Sequence, residues 1–332
     1  MRDNAGDDKR ATVIETQIET MTKKVYVEDY ANILIFLIYL TKDKHVILEM
    51  LENAKRVFQA HEPFDFEKHA DFINRIYSPS QELVLEKKDP KESREDYLRT
   101  MDEIEEEVGF QNGQLPVTRD KETEQVLKLN IAFKTEQILG QILRNFPGSL
   151  KADIKFEIAK ECYFLALRIL RAMFLLMEQN IVSFREKIEE ILKENGEVKG
   201  ETELTRRANQ IISVLSEVLA YSVIKLLSHS VGSEELKETY KAVLSKFESK
   251  PIALTDIAIR LDHFRSIPQK EILELHRQSR KNSFLSTILR TLVVERLYLF
   301  PSNYTTRQRL CSKLEISIRE PKLITSKTRM LR

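Results

Sequence analysis

The 332-residue chain contains no tryptophan, two cysteines, eight glycines and nine prolines. Glycine and proline are normally about 7% and 5% of residues, and their scarcity here disfavours loop-rich folds such as β-sandwiches and disulfide scaffolds. Cys162 and Cys311 are too few for a disulfide framework or a thiolate zinc site, so we expect free thiols in a reducing compartment. Without tryptophan the tetratricopeptide signature is excluded, and no other repeat is visible.

The residues that build phosphate and metal sites are also missing. Phosphate-binding loops need glycines at fixed spacing, and the glycines here form neither a P-loop nor a G-x-G-x-x-G pattern. No two of the six histidines are four residues apart, the spacing that places two metal ligands on one helix face. We interpret Asp262 and His263 as polar groups at a helix end. The sequence therefore predicts no nucleotide-hydrolysing site, no cofactor and no metal.

The chain has no excess of charge and no long apolar run. It carries 53 basic and 52 acidic residues, so nucleic acid or an anionic membrane would have to be bound locally. Residues 33–40 (ILIFLIYL) are far shorter than the roughly 20 residues of a membrane span, and residues 162–177 contain Arg168 and Arg171. We interpret residues 33–40 as a core helix and expect a cytoplasmic protein without membrane contact or a signal peptide.

Helix-forming residues dominate the chain, and apolar residues recur with helical spacing. This pattern predicts an all-α fold, an irregular multi-helix bundle or α-solenoid-like array. One long central helical hairpin is expected from residues 150–195, broken near Asn180, and residues 204–227. The other predicted helices are 25–41, 45–60, 66–77, 92–107, 121–145, 234–247, 254–263, 269–279, 284–300 and 305–313. Residues 82–86 (ELVLE) alternate like a strand, but an isolated strand is marginal.

Composition along the chain predicts five regions. Residues 1–11 are expected to be a disordered tail and residues 12–77 an N-terminal helical subdomain. Prolines, glycines and a block of acids mark residues 78–120 as an acidic connector. Residues 121–317 are expected to form the main helical domain, and residues 318–332 a basic tail.

One pair of residues offers an enzymatic alternative. Arg56 and His61 have a spacing that resembles the Arg and His of all-helical ribonucleases of the HEPN type, in which a dimer brings both to the scissile phosphate. The cation would stabilise negative charge and the imidazole would move a proton. Such a spacing also arises by chance in an arginine-rich chain, and Val57 stands where the motif usually has a polar residue.

A second alternative is nucleic-acid binding, which uses basic and aromatic side chains on one surface. The densest such region also contains Tyr298 and Tyr304. Its basic residues, which would bind nucleic acid or an acidic partner, are Arg277, Arg280, Lys281, Arg290, Arg296, Arg307, Arg309 and Lys313.

Three segments resemble the helical region that accompanies STAND-type NTPases of prokaryotic defence systems. They are residues 43–74 (DKHVILEMLENAKRVFQAHEPFDFEKHADFIN), 138–149 (ILGQILRNFPGS) and 297–316 (LYLFPSNYTTRQRLCSKLEI). The resemblance implies a helical sensor or oligomerisation module that works with an ATP-binding core. The chain itself lacks a Walker A loop, so no catalytic residue is carried over.

Together these features favour a non-catalytic interaction or sensor module. It would act through apolar helix stripes that neighbouring helices leave incompletely covered, with charged rims selecting the partner. The expected partner is a protein, an NTPase if the resemblance holds, and self-association is compatible with the pattern. The ribonuclease and the nucleic-acid-binding protein stay as alternatives.

Overall fold

The structure is a computed structural model and describes residues 8–25, 27–41, 44–76, 83–109, 121–196 and 200–319. These residues form fourteen α-helices, so the all-α multi-helix fold is confirmed. The helices are α1 (Asp8–Lys23), α2 (Glu28–Thr41), α3 (Lys44–Arg56), α4 (Asp71–Ile76), α5 (Pro90–Gly109), α6 (Lys121–Asn145), α7 (Ala152–Gln179), α8 (Ile181–Glu194), α9 (Glu201–Val231), α10 (Lys237–Lys246), α11 (Lys250–His263), α12 (Gln269–Gln278), α13 (Ser283–Leu299) and α14 (Tyr304–Lys313). Two short strands, β1 (Val84–Glu86) and β2 (Ser317–Arg319), pair in parallel.

Three long helices, α6, α7 and α9, pack against one another at the centre of the fold. The expected break in the central hairpin lies at Asn180, whose side-chain amide donates to the Leu176 carbonyl at 2.8 Å and competes with the helix backbone. Beyond that break, α8 continues along α9. The long central hairpin is therefore α7 and α8 against α9, with α6 as a third partner.

The helices α6 and α9 approach most closely at Gly140. A Cβ atom on Gly140 would lie 2.6 Å from the Cβ of Ser230, so only glycine fits there without movement of α9. One turn earlier on α6, the fully buried Glu136 accepts a hydrogen bond from the Ser230 hydroxyl. Burial raises the pKa of Glu136 to about 8, although the Ser230 hydrogen bond opposes this rise.

The N-terminal helices attach to this centre through a buried arginine. Arg168 of α7 donates to the carbonyl oxygens of Ala54 at 3.0 Å and Val57 at 3.1 Å, and it pairs with Glu161 at 2.6 Å. These bonds satisfy carbonyl groups at the end of α3, where Phe58 has a φ of 52°. The predicted helix over residues 45–60 therefore ends at Arg56.

The third predicted helix begins later than expected. Asp65 forms a turn, because its carboxylate accepts from the amides of Glu67 and Lys68 while its own amide donates to His69. Such local side-chain bonds compete with helix formation, so α4 starts only at Asp71. The predicted end at Tyr77 lies outside the described residues.

The prediction of an acidic connector needs correction for residues 83–109. The strand β1 pairs with β2, in a register that places Val84 opposite Ser317, and both β1 and α5 pack on α13. Arg94 of α5 lies over the ring of Phe300 at 4.8 Å. These residues belong to the main body, and one buried core extends from Val25 to Ile316 across both predicted helical parts.

Two terminal boundaries also differ from the prediction. The helix α1, which the sequence analysis did not recognise, begins at Asp8, inside the predicted tail of residues 1–11. At the other end, β2 includes Ile318 and Arg319, which were assigned to the basic tail. The marginal strand β1 is stable because β2 supplies the partner that the sequence did not reveal.

The helix α9 is long and apolar enough, by length and composition, to cross a membrane. Half of its most apolar 18-residue window is buried inside the structure, where α9 packs on α6, α7, α8, α11 and α13. The residues buried on its inner side include Ile212, Ala220 and Ile224. In this fold α9 is a core helix with one outer side.

We expect Gly140→Ala to lower the free energy of unfolding by about 1–3 kcal/mol, because the added methyl group overpacks the contact with Ser230. Gly148→Ala is the matched control, since nothing lies within 4 Å of a Cβ at that position. Urea unfolding of both variants measures the difference. Equal midpoints for the two variants would contradict the close contact between α6 and α9.

Glu136 predicts a specific pH dependence of stability. The folded protein retains a proton on Glu136 that the unfolded chain releases above its ordinary pKa of 4.5, so stability falls as pH rises from there to about 8. Between about pH 5 and pH 8, wild type should lose about 3 kcal/mol more than Glu136→Gln. The free energy of urea unfolding is measured for both proteins across this pH range. Equal losses in wild type and Glu136→Gln would show that Glu136 holds no proton in the folded state.

Candidate functional site

The two residues of the ribonuclease alternative, Arg56 and His61, lie at the end of α3 and in the turn that follows it. Arg56 is the exposed last residue of α3, whereas His61 is half-buried in the following turn and stacks on Phe58, with ring centroids 5.5 Å apart. Neither residue lines either of the two cavities described below. The ribonuclease alternative stays a prediction that would need a dimer to complete its site.

Three of the predicted basic-surface residues instead hold the fold together. Arg290 donates to the Glu315 carbonyl at 2.6 Å, and Arg307 donates to the Leu297 carbonyl at 2.9 Å. Arg296 is buried and lies 4.3 Å from the centre of the Phe300 ring. The prediction of an exposed binding residue therefore needs correction for Arg296, because only 9% of its surface is exposed.

The other basic residues of that region remain at the surface. Arg277 forms an ion pair with Glu274 at 2.6 Å on the same helix, which neutralises its charge locally. Tyr298 is half-buried and Tyr304 is exposed on α14. The exposed basic residues are Arg277, Arg280, Lys281, Arg309 and Lys313. Nucleic-acid binding through this smaller set stays a prediction.

A buried polar cluster that the sequence analysis missed joins α9, α11 and α13. Lys225 Nζ lies 2.6 Å from Asp262 Oδ1 and 2.9 Å from Glu295 Oε2, and Ser228 donates to Asp262 Oδ2 at 2.6 Å. Burial lowers the pKa of Lys225, but the two carboxylates outweigh that effect and raise it. The ammonium group therefore stays charged between the two carboxylates.

Two histidines flank this cluster without forming a reaction centre. His263 lies with Nε2 3.0 Å from the Ser228 carbonyl, and burial lowers the pKa of both His229 and His263. Since Ser228 donates directly to Asp262, no imidazole activates its hydroxyl. Among the described residues, no group of three or more His, Cys, Asp or Glu side chains could hold a metal. The role of the cluster is to hold α9, α11 and α13 together.

Among the residues that the structure describes, α2 carries more exposed large apolar side chains than any other helix. Four of its side chains keep 48–62% of their surface exposed, and the spacing of the helix places them on one side. We call these residues the α2 face: Ile33, Phe36, Tyr39 and Leu40. At one edge of the face, the ring of Tyr39 lies 6.0 Å from that of Phe146.

The α2 face exists because α2 is apolar on every side while its neighbours cover only one. Ala31, Leu34 and Ile38 are buried on the inner side, where α2 packs on α1, α3 and α6. A helix that is apolar all round is normally enclosed on all sides. The prediction that residues 33–40 form a core helix is correct for the inner side and wrong for the outer side.

Other helices expose fewer large apolar side chains. Tyr97, Leu98 and Met101 of α5 keep 36–49% of their surface exposed, less than most of the α2 face, and α8 and α9 expose two such side chains each. Single exposed apolar residues are normal on protein surfaces, whereas a contiguous patch marks a contact site. The α2 face is therefore the candidate functional site.

Two cavities lie near the N-terminal helices. One, of about 290 Å³, is lined by side chains of α1 and α3, including Glu15, Glu19, His45 and Glu49. The other, of only about 40 Å³, lies beside Ile38, Lys44 and Phe146 at the edge of α2. Neither brings together the nucleophile, base and oxyanion donors of a reaction centre.

Comparisons of the sequence with protein-family models, curated proteins and solved structures return no significant match. The resemblance to the helical region of STAND-type NTPases therefore stays a prediction. Any functional conclusion depends on the geometry of the chain itself.

We expect Lys225→Met to lower the free energy of unfolding by about 3–5 kcal/mol, because Asp262 and Glu295 would be left largely buried without their cation. Lys241→Met is the control, since the pair of Lys241 with Glu238 is exposed and worth about 1 kcal/mol or less. Thermal and urea unfolding measure both changes. Similar losses of unfolding free energy in the two variants would show that the cluster does not hold the three helices together.

Proposed function

We propose that the chain is a non-catalytic helical interaction module that binds a protein through the α2 face. The observation that carries this proposal is the exposure of four large apolar side chains, Ile33, Phe36, Tyr39 and Leu40, on one side of a helix. A partner that covers them removes apolar surface from water, which is the main driving force of protein association. No reaction is assigned to the chain.

The size of the α2 face fits this role. At roughly 200 Å² for a large side chain, the exposed fractions correspond to about 450 Å². The largest apolar patch of a typical monomer is about 300–600 Å² and is often functional. Two of the four side chains, those of Phe36 and Tyr39, are aromatic. Aromatic residues are enriched at the centres of interfaces.

The partner class is part of the same proposal. A protein surface suits the α2 face because apolar side chains recognise shape and apolar area rather than charge. The resemblance to STAND-associated helices suggests an NTPase as a further partner in the cytoplasm. No cofactor is required for such binding.

Affinity capture with the tagged full chain from its native host tests the proposal. We expect Phe36→Lys to reduce specifically bound protein, including untagged copies of the chain, at least about tenfold, because the charge would have to be buried in the contact. Both Phe36 and Tyr304 are exposed, so neither substitution disturbs the core.

The control variant is Tyr304→Lys, which places the same charge on the exposed surface of α14. It should retain the bound protein, and both variants should unfold at the wild-type temperature. Equal capture by wild type and Phe36→Lys would contradict a role for the α2 face.

A further inference from the structure

We propose that the occupant of the α2 face is an apolar segment of another protein that carries acidic side chains at one end. This inference rests on the proposed function and names the chemistry of the partner. Apolar area drives such a contact, whereas charges at its rim select the partner and fix its orientation. The charge that the partner must carry follows from the residues beside the α2 face.

At one end, the α2 face adjoins the smaller of the two cavities. The ring of Tyr39 lies 6.0 Å from that of Phe146, and Phe146 lines the cavity of about 40 Å³ together with Ile38 of α2. The other apolar residues of the lining are Ile47, Leu150 and Ile154. This volume exceeds the roughly 10–15 Å³ that one water molecule needs, so it suits the end of one apolar side chain. Side chains that anchor an interface commonly fill such pockets.

Two lysines border the same cavity. Lys44, the first residue of α3, and Lys151, which immediately precedes α7, both line it. They are exposed, as is Ser149 of the lining, so the cavity opens at the surface. Neither lysine pairs with a described acid, and Asp153, exposed in the first turn of α7, pairs with neither of them. An acidic side chain of the partner therefore meets two unpaired ammonium groups directly beside the apolar contact.

The other end of the α2 face carries the opposite charge. Asp29 is exposed near the start of α2, four residues before Ile33 and seven before Phe36. Helical spacing places these three residues on one side. A partner segment whose acidic end lay at Asp29 would meet a like charge, which is costly. The charges therefore favour one orientation, with the acidic end of the segment at Lys44 and Lys151.

An anionic lipid surface would also suit apolar side chains next to lysines, but three observations disfavour it. Surfaces that recognise anionic lipid carry clusters of about four to eight basic residues, whereas only Lys44 and Lys151 line this cavity. Asp29, on the side of the α2 face, is repelled by anionic headgroups. The cavity also accommodates the end of a side chain rather than an acyl chain.

Two synthetic peptides of about 18 residues test the inference at low ionic strength, where contacts between charges are strongest. Both carry the same leucines at helical spacing. The glutamate peptide has glutamates in its first turn, and the lysine peptide has lysines at the same positions. Wild type should bind the glutamate peptide about tenfold more tightly, because its acids meet Lys44 and Lys151. Fluorescence anisotropy with the full chain measures both dissociation constants.

Charge reversal on the chain separates the effect of the two lysines from the helix propensity of the peptides. The double variant Lys44→Glu, Lys151→Glu should prefer the lysine peptide by about tenfold. The matched control, Lys281→Glu with Lys313→Glu, changes two exposed lysines near α12 and on α14, and it should keep the wild-type preference. Phe36→Ala should weaken the binding of both peptides about equally, because it removes apolar contact and leaves the charges in place.

Other outcomes separate this inference from the proposed function. The acidic partner is overturned if wild type and the charge-reversed variant show the same preference, or if neither peptide binds at up to about 1 mM. It is also overturned if the protein captured through Phe36 is an untagged copy of the chain. In each case, capture of a protein that Phe36→Lys loses leaves the proposed function standing. If the chain captures no protein and instead sediments with vesicles of phosphatidylserine and phosphatidylcholine, both are wrong.

Discussion

The contact between α6 and α9 at Gly140 fixes the geometry of the rest of the molecule. Because no side chain separates the two helices there, Ser230 packs directly on the α6 backbone, and α7 packs against both. The N-terminal helices then attach to α7 through Arg168, and the C-terminal helices attach to α9 through Lys225. Each attachment is a buried cation whose partners lie on other helices, which makes the arrangement specific as well as stable.

This construction explains why α2 is left with an apolar outer side. The helix α2 packs on one surface, which is formed by α3 and α6 with α1 alongside. That surface covers only the side of α2 that contains Leu34 and Ile38. A polar outer side would be the ordinary solution for a surface helix. The chain instead has Phe36 and Leu40 there, which is unfavourable in water unless another surface covers them. The functional proposal follows from this one departure from ordinary helix design.

Much of the fold could be predicted from local signals. Apolar spacing located most of the helices, and Asn180 marked the break between α7 and α8. The errors came from contacts distant in sequence: β2 stabilises β1, and Arg168 meets the end of α3 more than a hundred residues away. No local pattern encodes such partners.

The candidate site was only partly predictable. The sequence suggested apolar stripes left uncovered, but it assigned residues 33–40 to the core, because periodicity does not show how many neighbours a helix has. The uncharged run of residues 30–41 was the available signal. The sequence also predicted binding residues that have a structural role instead. In the predicted basic surface, Arg290, Arg296 and Arg307 donate to backbone carbonyl groups of the chain itself.

The most direct test of the central claim is hydrogen exchange of the full chain with and without the protein that it captures. Backbone amides of α2 should gain protection in the complex, while those of α14 and the outer side of α9 stay unchanged. Exchange in α2 that is the same with and without the bound protein would contradict the claim that this helix is the contact surface.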